Sequence, residues 1–361
     1  FLDGEIHYEG VIDFGDKAAN GFKITGIGGW GENVVSAWHQ NPYAEVVAIA
    51  DLNTARAQEI ADRYGIQAKI YADYKEMIQN ERLDIASVAT PDFLHRQVAC
   101  DCFAAGLNVF LEKPCATTME DCEAIAEAAA KSGKKFMVDY FMRFIPRFRD
   151  AKLAMENGEL GEIVQGYARI DDAISVPTKM LRWAKDSSPV YFVMIHNIDA
   201  VRWIIGHEAV EVYARQQKKK LTSIGVDTPD SVQAMVTFDN GASVLFDSNW
   251  ILPRTFDGLN DQFVRLVGTE GTAYINLTYQ GLQIYKPEFN EPFEHANRAT
   301  VYVNPMFGGH TTGCVEQSVA HFADCVLNDK EPCITLKDAI EPTRIACAIN
   351  ESLKTGAPVK L

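Results

Sequence analysis

The sequence predicts an α/β fold in which a doubly wound parallel sheet is followed by an α+β domain with a large, open, mostly antiparallel sheet. Between residues 22 and 139, short apolar runs alternate with helical stretches of about ten residues or more, which is typical of parallel strands joined by helices. Beyond residue 143, strand-like runs of alternating polarity follow one another, and Asn240-Gly241 between two of them indicates a hairpin. A chain of 361 residues is long for one core and suggests two domains.

The first domain is expected to span residues 22–142, after an N-terminal arm of residues 1–21. Its apolar runs predict strands at 22–27, 45–50, 83–89, 108–111 and 135–139, and its helices are predicted at 32–40, 53–64, 93–105 and 117–132. Asn53 or Thr54 is predicted to cap the second helix, and Gly65 to end it, because these residue types satisfy the unpaired backbone groups at helix ends.

The second domain is expected to span residues 143–361. Helices are predicted at 146–157, 190–205, 315–327 and 337–354, and strands at 163–170, 210–216, 231–238, 242–250, 262–267 and 272–276. The last helix could pack back on the first domain.

Composition excludes some classes of partner. The net charge of −15 argues against binding to nucleic acid or to an anionic membrane, since both would repel the chain. No apolar run approaches the length of a membrane span, and the first ten residues lack the basic and apolar regions of a signal peptide. The eight cysteines form no C-x-x-C pair, so we expect reduced thiols, a cytoplasmic protein and no metal site.

A glycine motif predicts a dinucleotide site. Gly26, Gly28 and Gly31 fit G-x-G-x-x-G between a predicted strand and a predicted helix, where glycines allow the backbone to approach a pyrophosphate. Asp51 ends the next strand, where a carboxylate binds ribose hydroxyls and repels the phosphate of NADP. We therefore expect a Rossmann domain that prefers NAD over NADP, with contacts from Gly26, Gly28, Gly29, Trp30, Gly31, Glu32, Asp51 and Leu52. The alternative is a turn with a helix-capping aspartate.

A second cluster, Glu112-Lys113-Pro114, follows strand 108–111 at the sheet edge where doubly wound folds bind ligands. A lysine there would meet the nicotinamide end of the cofactor, and desolvation would lower its pKa so that it can hydrogen-bond or protonate a substrate oxygen. A surface lysine in a turn fits the spacing equally well.

These motifs, taken together, resemble the glucose–fructose oxidoreductase / inositol dehydrogenase / rhizopine catabolism (Gfo/Idh/MocA) family. The resemblance runs from about residue 22 through nearly the whole chain. It rests on the glycine motif with Asp51, Ala89-Thr90-Pro91 with His95, Gly106 to Val109, Glu112-Lys113-Pro114, Val138 to Pro146 with Arg143, Gly158 to Ile163, His196-Asn197-Ile198-Asp199 with Arg202, Trp203 and Gly206, and Ile349 to Gly356.

The resemblance implies an enzyme that uses NAD(P) to oxidise a secondary alcohol of a sugar, cyclitol or derivative. It implies that Lys113 and His196 are the catalytic pair, with His196 taking the hydroxyl proton and Lys113 steadying the oxygen. It also implies cofactor contacts from Thr90, Pro91, His95, Glu112 and Lys113, and a homodimer or homotetramer formed through the large sheet. From the residues alone, a lone histidine in an apolar helix is more often a packed core residue.

One position departs from the family pattern. Sugar and inositol dehydrogenases of this family usually carry an aspartate four residues before the catalytic histidine, and here that residue is Phe192. Asp171, Asp172 and His310 are candidates to replace it. Asp199 could instead pair with Arg202. The substrate contacts expected from the resemblance and from local composition are Tyr140, Arg169, Arg182, Trp183, His196 and Asp199. Two alternatives use the same fold: an NAD-retaining glycosidase or epimerase, and a dinucleotide-sensing regulator without turnover.

Overall fold

The computed structural model describes residues 22–24, 31–181, 183–256, 258–278, 306–307 and 310–361. The predicted arm and several predicted contacts therefore lie outside the described residues, namely Gly26, Gly28, Gly29, Trp30 and Arg182.

Every strand pairing in the first domain is parallel. The strands are β1 (Phe22–Ile24), β2 (Ala44–Val46), β3 (Ala48–Ala50), β4 (Lys69–Tyr71), β5 (Ile85–Val88), β6 (Asn108–Leu111) and β7 (Phe136–Val138). β1 also lies against β3 and β5, so the separately paired groups of strands form one layer. All residues of β5 and β7 are buried, as expected when helices cover both faces of a parallel sheet.

The helices between these strands are α1 (Gly31–Gln40), α2 (Thr54–Tyr64), α3 (Tyr74–Asn80), α4 (His95–Ala104) and α5 (Met119–Ser132). The caps predicted for α2 are confirmed, because the Asn53 side chain accepts from Arg56 N and Gly65 has a left-handed φ of 68°. A 3₁₀ turn, Asp92–Leu94, occupies the start of the predicted helix 93–105. β4 and α3 were not predicted.

The second domain contains helices α6 (Pro146–Glu156), α7 (Ile195–Ile205), α8 (Lys220–Ser223), α9 (Cys314–Leu327) and α10 (Leu336–Thr355). Its strands are β8 (Ile163–Asp172), β9 (Ala209–Gln217), β10 (Ser231–Phe238), β11 (Ser243–Asn249), β12 (Asn260–Gly268), β13 (Thr272–Asn276), β14 (Met306–Phe307), β15 (His310–Thr311) and β16 (Val359–Lys360).

Seven of these strands form one sheet in the order β13-β12-β8-β11-β10-β9-β16. Its pairings are antiparallel except for β8 with β11, which are parallel, so the predicted fold class of a mostly antiparallel second sheet is confirmed. Burial alternates along β10, β11 and β12, because successive side chains point to opposite faces and helices cover only one of them.

Two features of the second domain position the site. The predicted helix 190–205 begins with a wide π-helical turn, Val190–Met194, before α7 continues it; such turns are frequent at functional sites. α9 packs on α1, and α10 packs on α5 and β7, so the end of the chain contacts the first domain. In the part of the chain that the structure describes, no helix is both long and apolar enough to cross a membrane.

Candidate active site

The edge of the parallel sheet at which the cofactor is predicted to bind begins with α1, whose N-terminus is at Gly31. Glu32, in its first turn, accepts hydrogen bonds from Arg63 and Tyr64, so its carboxylate is tied to α2. Asp51 follows β3, and its Oδ1 accepts from the backbone N–H of Asn53 at 2.7 Å. Beside it, Leu52 is 94% exposed. Asp51 therefore lies where a ribose-binding carboxylate is expected, at the carboxyl edge of the parallel sheet.

At the same edge, Oγ1 of Thr90, just after β5, is buried without a hydrogen-bond partner in the described residues. Glu112, directly after β6, and Asp139, directly after β7, each carry one such oxygen, and these two carboxyl groups interact with each other. Buried polar atoms are seldom left unpaired without a reason, and the carboxyl ends of these strands are where a dinucleotide binds. The residues present therefore fit a nicotinamide dinucleotide.

His95 has a different role from the predicted cofactor contact. Its ring is buried, with Nδ1 2.8 Å from the carbonyl oxygen of Pro114 and Nε2 3.1 Å from that of Thr90. Burial lowers its pKa. A neutral imidazole donates from one nitrogen only, so His95 hydrogen-bonds one of these two carbonyl oxygens at a time. The two oxygens lie in the loops that follow β5 and β6, and Pro91 is part of the first loop.

Lys113 links the two domains. It follows β6 and precedes Pro114 through a cis peptide bond. Its Nζ donates to the backbone carbonyl of Phe192 at 2.8 Å and lies 4.2 Å from the centroid of the Phe192 ring. Burial lowers the pKa of Lys113, and the nearby carboxyl groups of Glu112, Asp92, Asp172 and Asp139 oppose that change.

A buried carboxyl pair lies next to Lys113. Burial and the charge of Asp139 raise the pKa of Glu112 well above its usual value, and burial raises the pKa of Asp139 to about 7. Ser318 on α9 donates to Oδ1 of Asp139 at 2.6 Å. Because two buried carboxylates in contact cannot both ionise readily, the pair holds a proton near neutral pH. Glu112 was expected at the site from the sequence, whereas Asp139, which directly follows β7, was not.

His196, on α7, comes four residues after Phe192, whose carbonyl accepts from Lys113. Its ring is buried against Phe141, with centroids 4.8 Å apart, and its Nδ1 has no partner among the described residues. Burial, and then the charge of Lys113, place the pKa of His196 well below its usual value. The imidazole is therefore neutral at neutral pH, as an acceptor of a proton must be.

Aromatic rings line the same region. The Phe192 ring packs edge-on against Trp183 and Trp250, with centroids 6.0 and 5.9 Å apart, and Trp183 packs against Phe93 of the first domain at 6.3 Å. We call these four side chains the aromatic wall. Trp183 was predicted as a substrate contact, and the wall places it against Phe192, over whose ring Lys113 Nζ lies.

Asp199 and Tyr140 are not placed as substrate contacts. Asp199 is fully buried, and its two oxygens accept from Arg143 at 2.9 and 2.5 Å. Arg202, the partner considered from the sequence, donates instead to Glu208 and Asp338. Tyr140 is 1% exposed and packs in the core. Asp199 joins α7 to Arg143 through a buried ion pair.

Arg169 lies on the open face of the large sheet. Along β8, residues 169 and 171 share one face and residues 168, 170 and 172 the other, because the side-chain period of a strand is two. Arg169 pairs on the open face with Asp261 at 2.8 Å. Arg169 was predicted as a substrate contact. It instead lies on the face of the sheet opposite to the one that carries Asp172 and the helices.

Comparison with known proteins agrees with this geometry. The family profile "Oxidoreductase family, NAD-binding Rossmann fold" matches residues 21–140, and "GFO/IDH/MocA C-terminal domain" matches residues 148–274. A scyllo-inositol 2-dehydrogenase (NAD(+)) of Bacillus subtilis (strain 168) is 27% identical over 328 residues, which are 89% of this chain and 90% of that protein. An inositol 2-dehydrogenase of Salmonella typhimurium (strain LT2) is 31% identical over 183 residues, 50% of this chain and 53% of that protein.

A solved structure shares the fold. The crystal structure of scyllo-inositol dehydrogenase from Lactobacillus casei with bound NAD(H) and scyllo-inositol has a TM-score of 0.76 at 18% identity, covering 94% of this chain and 99% of that chain. The two profiles together match more than half of the chain and cover part of each domain. The chain therefore belongs to the GFO/IDH/MocA oxidoreductase family, with an NAD-binding Rossmann domain followed by the C-terminal domain of that family.

Proposed function

We propose that this protein oxidises a secondary alcohol of a sugar, cyclitol or related polyol, using NAD. The observation that carries the proposal is the meeting of Lys113 and a neutral His196 at the carboxyl edge of an NAD-binding sheet. Distant relatives named as inositol dehydrogenases support the class of substrate.

The roles of His196 and Lys113 follow from their protonation states. Bound NAD supplies a nicotinamide C4 that accepts a hydride from the carbinol carbon. The neutral imidazole of His196 takes the hydroxyl proton, so that loss of the hydride and the proton converts the alcohol into a ketone. Lys113 has three N–H donors as an ammonium and uses one on the Phe192 carbonyl, which leaves others to hold the substrate oxygen as negative charge develops.

The aromatic wall supports a substrate that presents a C–H face. Aromatic rings with a few polar groups suit carbohydrates, whose C–H faces pack on rings while their hydroxyl groups seek hydrogen bonds. Asp51 supports NAD over NADP, because a carboxylate near the ribose repels a 2′-phosphate. The open face of the large sheet, where Tyr274 is 68% and Met235 42% exposed, supports self-association into a homodimer or homotetramer.

The test is an NADH-coupled panel of polyols, sugars, sugar acids and amino sugars, run with the wild type, Lys113→Met and Lys134→Met. Lys134 is an exposed lysine of the same domain and serves as the matched control. We expect stoichiometric NADH from the wild type and the control, and a loss of at least about 100-fold in kcat for Lys113→Met with NAD binding retained. Product formed without net NADH would indicate the cofactor-retaining alternative. No turnover with any compound, together with intact NAD binding, would favour a regulator.

A further inference from the structure

Two adjacent residues of the first domain, Asp92 and Phe93, contact the part of the second domain that leads to His196. They begin the 3₁₀ turn that follows β5. Oδ2 of Asp92 accepts from the hydroxyl of Ser187 at 2.5 Å, and the Phe93 ring packs against that of Trp183, with centroids 6.3 Å apart. The two contacts reach the second domain on either side of one 3₁₀ turn, so they hold this segment at two points.

The hydrogen bond between Asp92 and Ser187 is largely shielded from water. Asp92 is 4% exposed, and Ser187 is half-buried. The other oxygen of Asp92, Oδ1, accepts from the backbone N–H of Phe93 at 2.9 Å, so the carboxylate is held in a fixed orientation. A hydroxyl that donates to a buried carboxylate makes one of the stronger kinds of hydrogen bond in proteins. This contact therefore fixes its partners more firmly than an exposed bond does.

A short series of hydrogen bonds connects Ser187 to Lys113. The carbonyl of the next residue, Ser188, accepts from the backbone N–H of Phe192 at 3.1 Å. The carbonyl of Phe192 in turn accepts from Lys113 Nζ at 2.8 Å. The carbonyl of Ser187 itself accepts from the Thr228 hydroxyl at 3.1 Å, so the segment is also tied to its own domain. A shift of Ser187 therefore moves the oxygen that holds the lysine.

We propose that Asp92 and Ser187 are positioning residues of this active site. Their hydrogen bond pins residues 183–192 to the first domain and thereby places the backbone carbonyl that orients Lys113. The inference rests on the proposed function for its catalytic meaning. Both residues act through the Phe192 carbonyl and not by contact with the substrate. The bond also fixes the part of the aromatic wall that this segment carries, so its loss loosens the surface offered to the substrate.

Two neighbouring serines provide matched variants. Ser187→Ala removes the donor to Asp92, whereas Ser187→Thr keeps a hydroxyl. The backbone of Ser187 is extended, with φ −136° and ψ −170°, which a β-branched residue readily adopts. Ser188→Ala is the control, because the hydroxyl of Ser188 is buried without a partner among the described residues and the substitution leaves its carbonyl in place. The same atom is thus removed at adjacent positions, and only one removal breaks the bond to Asp92.

The first measurement requires no turnover. Hydrogen–deuterium exchange of the full chain is followed by peptide mass spectrometry, and the backbone amides of residues 188–194 are compared between variants. We expect Ser187→Ala to speed exchange in this segment about tenfold, since a hydrogen bond to a charged group contributes at least that factor to closing it. Ser187→Thr and Ser188→Ala should exchange like the wild type. A wild-type exchange rate in Ser187→Ala overturns the proposal.

A double-mutant cycle tests whether the two residues act through one bond. Asp92→Ala also frees the backbone N–H of Phe93, so its own effect exceeds that of Ser187→Ala. The cycle removes this excess: in the Asp92→Ala background, Ser187→Ala should speed exchange by less than about twofold, because the bond is already broken. An increase as large as in the wild-type background would show that the serine acts independently of Asp92, which contradicts the proposal.

Kinetics give a readout that a purely structural bond would not move. With a substrate found in the panel and rates expressed per NAD-binding site, Ser187→Ala should lower kcat about tenfold while KM for NAD stays within about threefold. Ser187→Thr should restore kcat, and Ser188→Ala should keep it. An unchanged kcat per NAD-binding site would limit the bond to folding and overturn the positioning role. If the wild type oxidises nothing, the proposed function fails, while the exchange results still decide whether the bond to Asp92 holds the Phe192 carbonyl in place.

Discussion

Replacing Arg143 with methionine tests whether Asp199 is structural. The Arg143 side chain is 3% exposed, that of Asp199 is fully buried, and two hydrogen bonds join them. Removing one partner of a buried pair leaves an uncompensated charge and costs roughly 3–5 kcal/mol. Asp338, the second partner of Arg143 at 3.0 Å, keeps its bond to Arg202 and so adds little to the loss.

The loss should appear as a fall in Tm of about 10 °C, since about 1 kcal/mol corresponds to about 2–4 °C for a domain of this size. Differential scanning calorimetry measures it, with the exposed Arg147→Met on α6 as the matched control. The double variant Arg143→Met with Asp199→Leu should recover at least half of the loss, because no charge is then left buried. KM for the best polyol should stay within about threefold in the folded variant. An unchanged Tm with a KM raised tenfold would show that Asp199 binds substrate instead.

Two further predictions concern the cofactor and the open sheet face. Asp51→Ser should raise the ratio of kcat/KM for NADP to kcat/KM for NAD by about 10- to 100-fold, because it removes ribose hydrogen bonds and a charge that repels the 2′-phosphate. The control Asp62→Ser, on the exposed side of α2, should leave the ratio unchanged. Met235→Glu places a charge on the open face of β10, so light scattering should report a smaller particle than the wild type; Leu153→Glu, at a 53% exposed position of α6, should not change the mass. A particle of wild-type mass in Met235→Glu would rule out the open face as the interface.

Several elements were predictable because their signals are local. The bounds of β6, β10 and β13 coincide with the predicted strands, since turn residues bound each apolar or alternating run. β4 and α3 were missed because a strand of three residues and a helix of seven carry too little periodicity. The predicted strand 45–50 is two strands, β2 and β3, because they pair with different neighbours, β1 and β4.

The site was only partly predictable. Lys113 and His196 stand in motifs that mark them, whereas the partners that set their state come from distant segments. Asp139 and Trp250 give no local signal of their role, because it depends on which sheet edge each one reaches. No sequence pattern reveals that two backbone carbonyl oxygens lie within hydrogen-bond distance of the ring nitrogens of His95.

The hydrogen bond from Lys113 to residue 192 ends on a backbone oxygen. Every amino acid supplies that oxygen, so the anchor of the lysine does not depend on which side chain the position carries. The side chain of residue 192 can therefore change without removing that hydrogen bond, although replacing the phenylalanine removes the ring that lies 4.2 Å from Lys113 Nζ. The hydrogen bond to Lys113 uses the backbone of residue 192, whereas the surface offered to the substrate uses its side chain. Substrate preference can therefore evolve, or be engineered, at this position while the chemistry is kept.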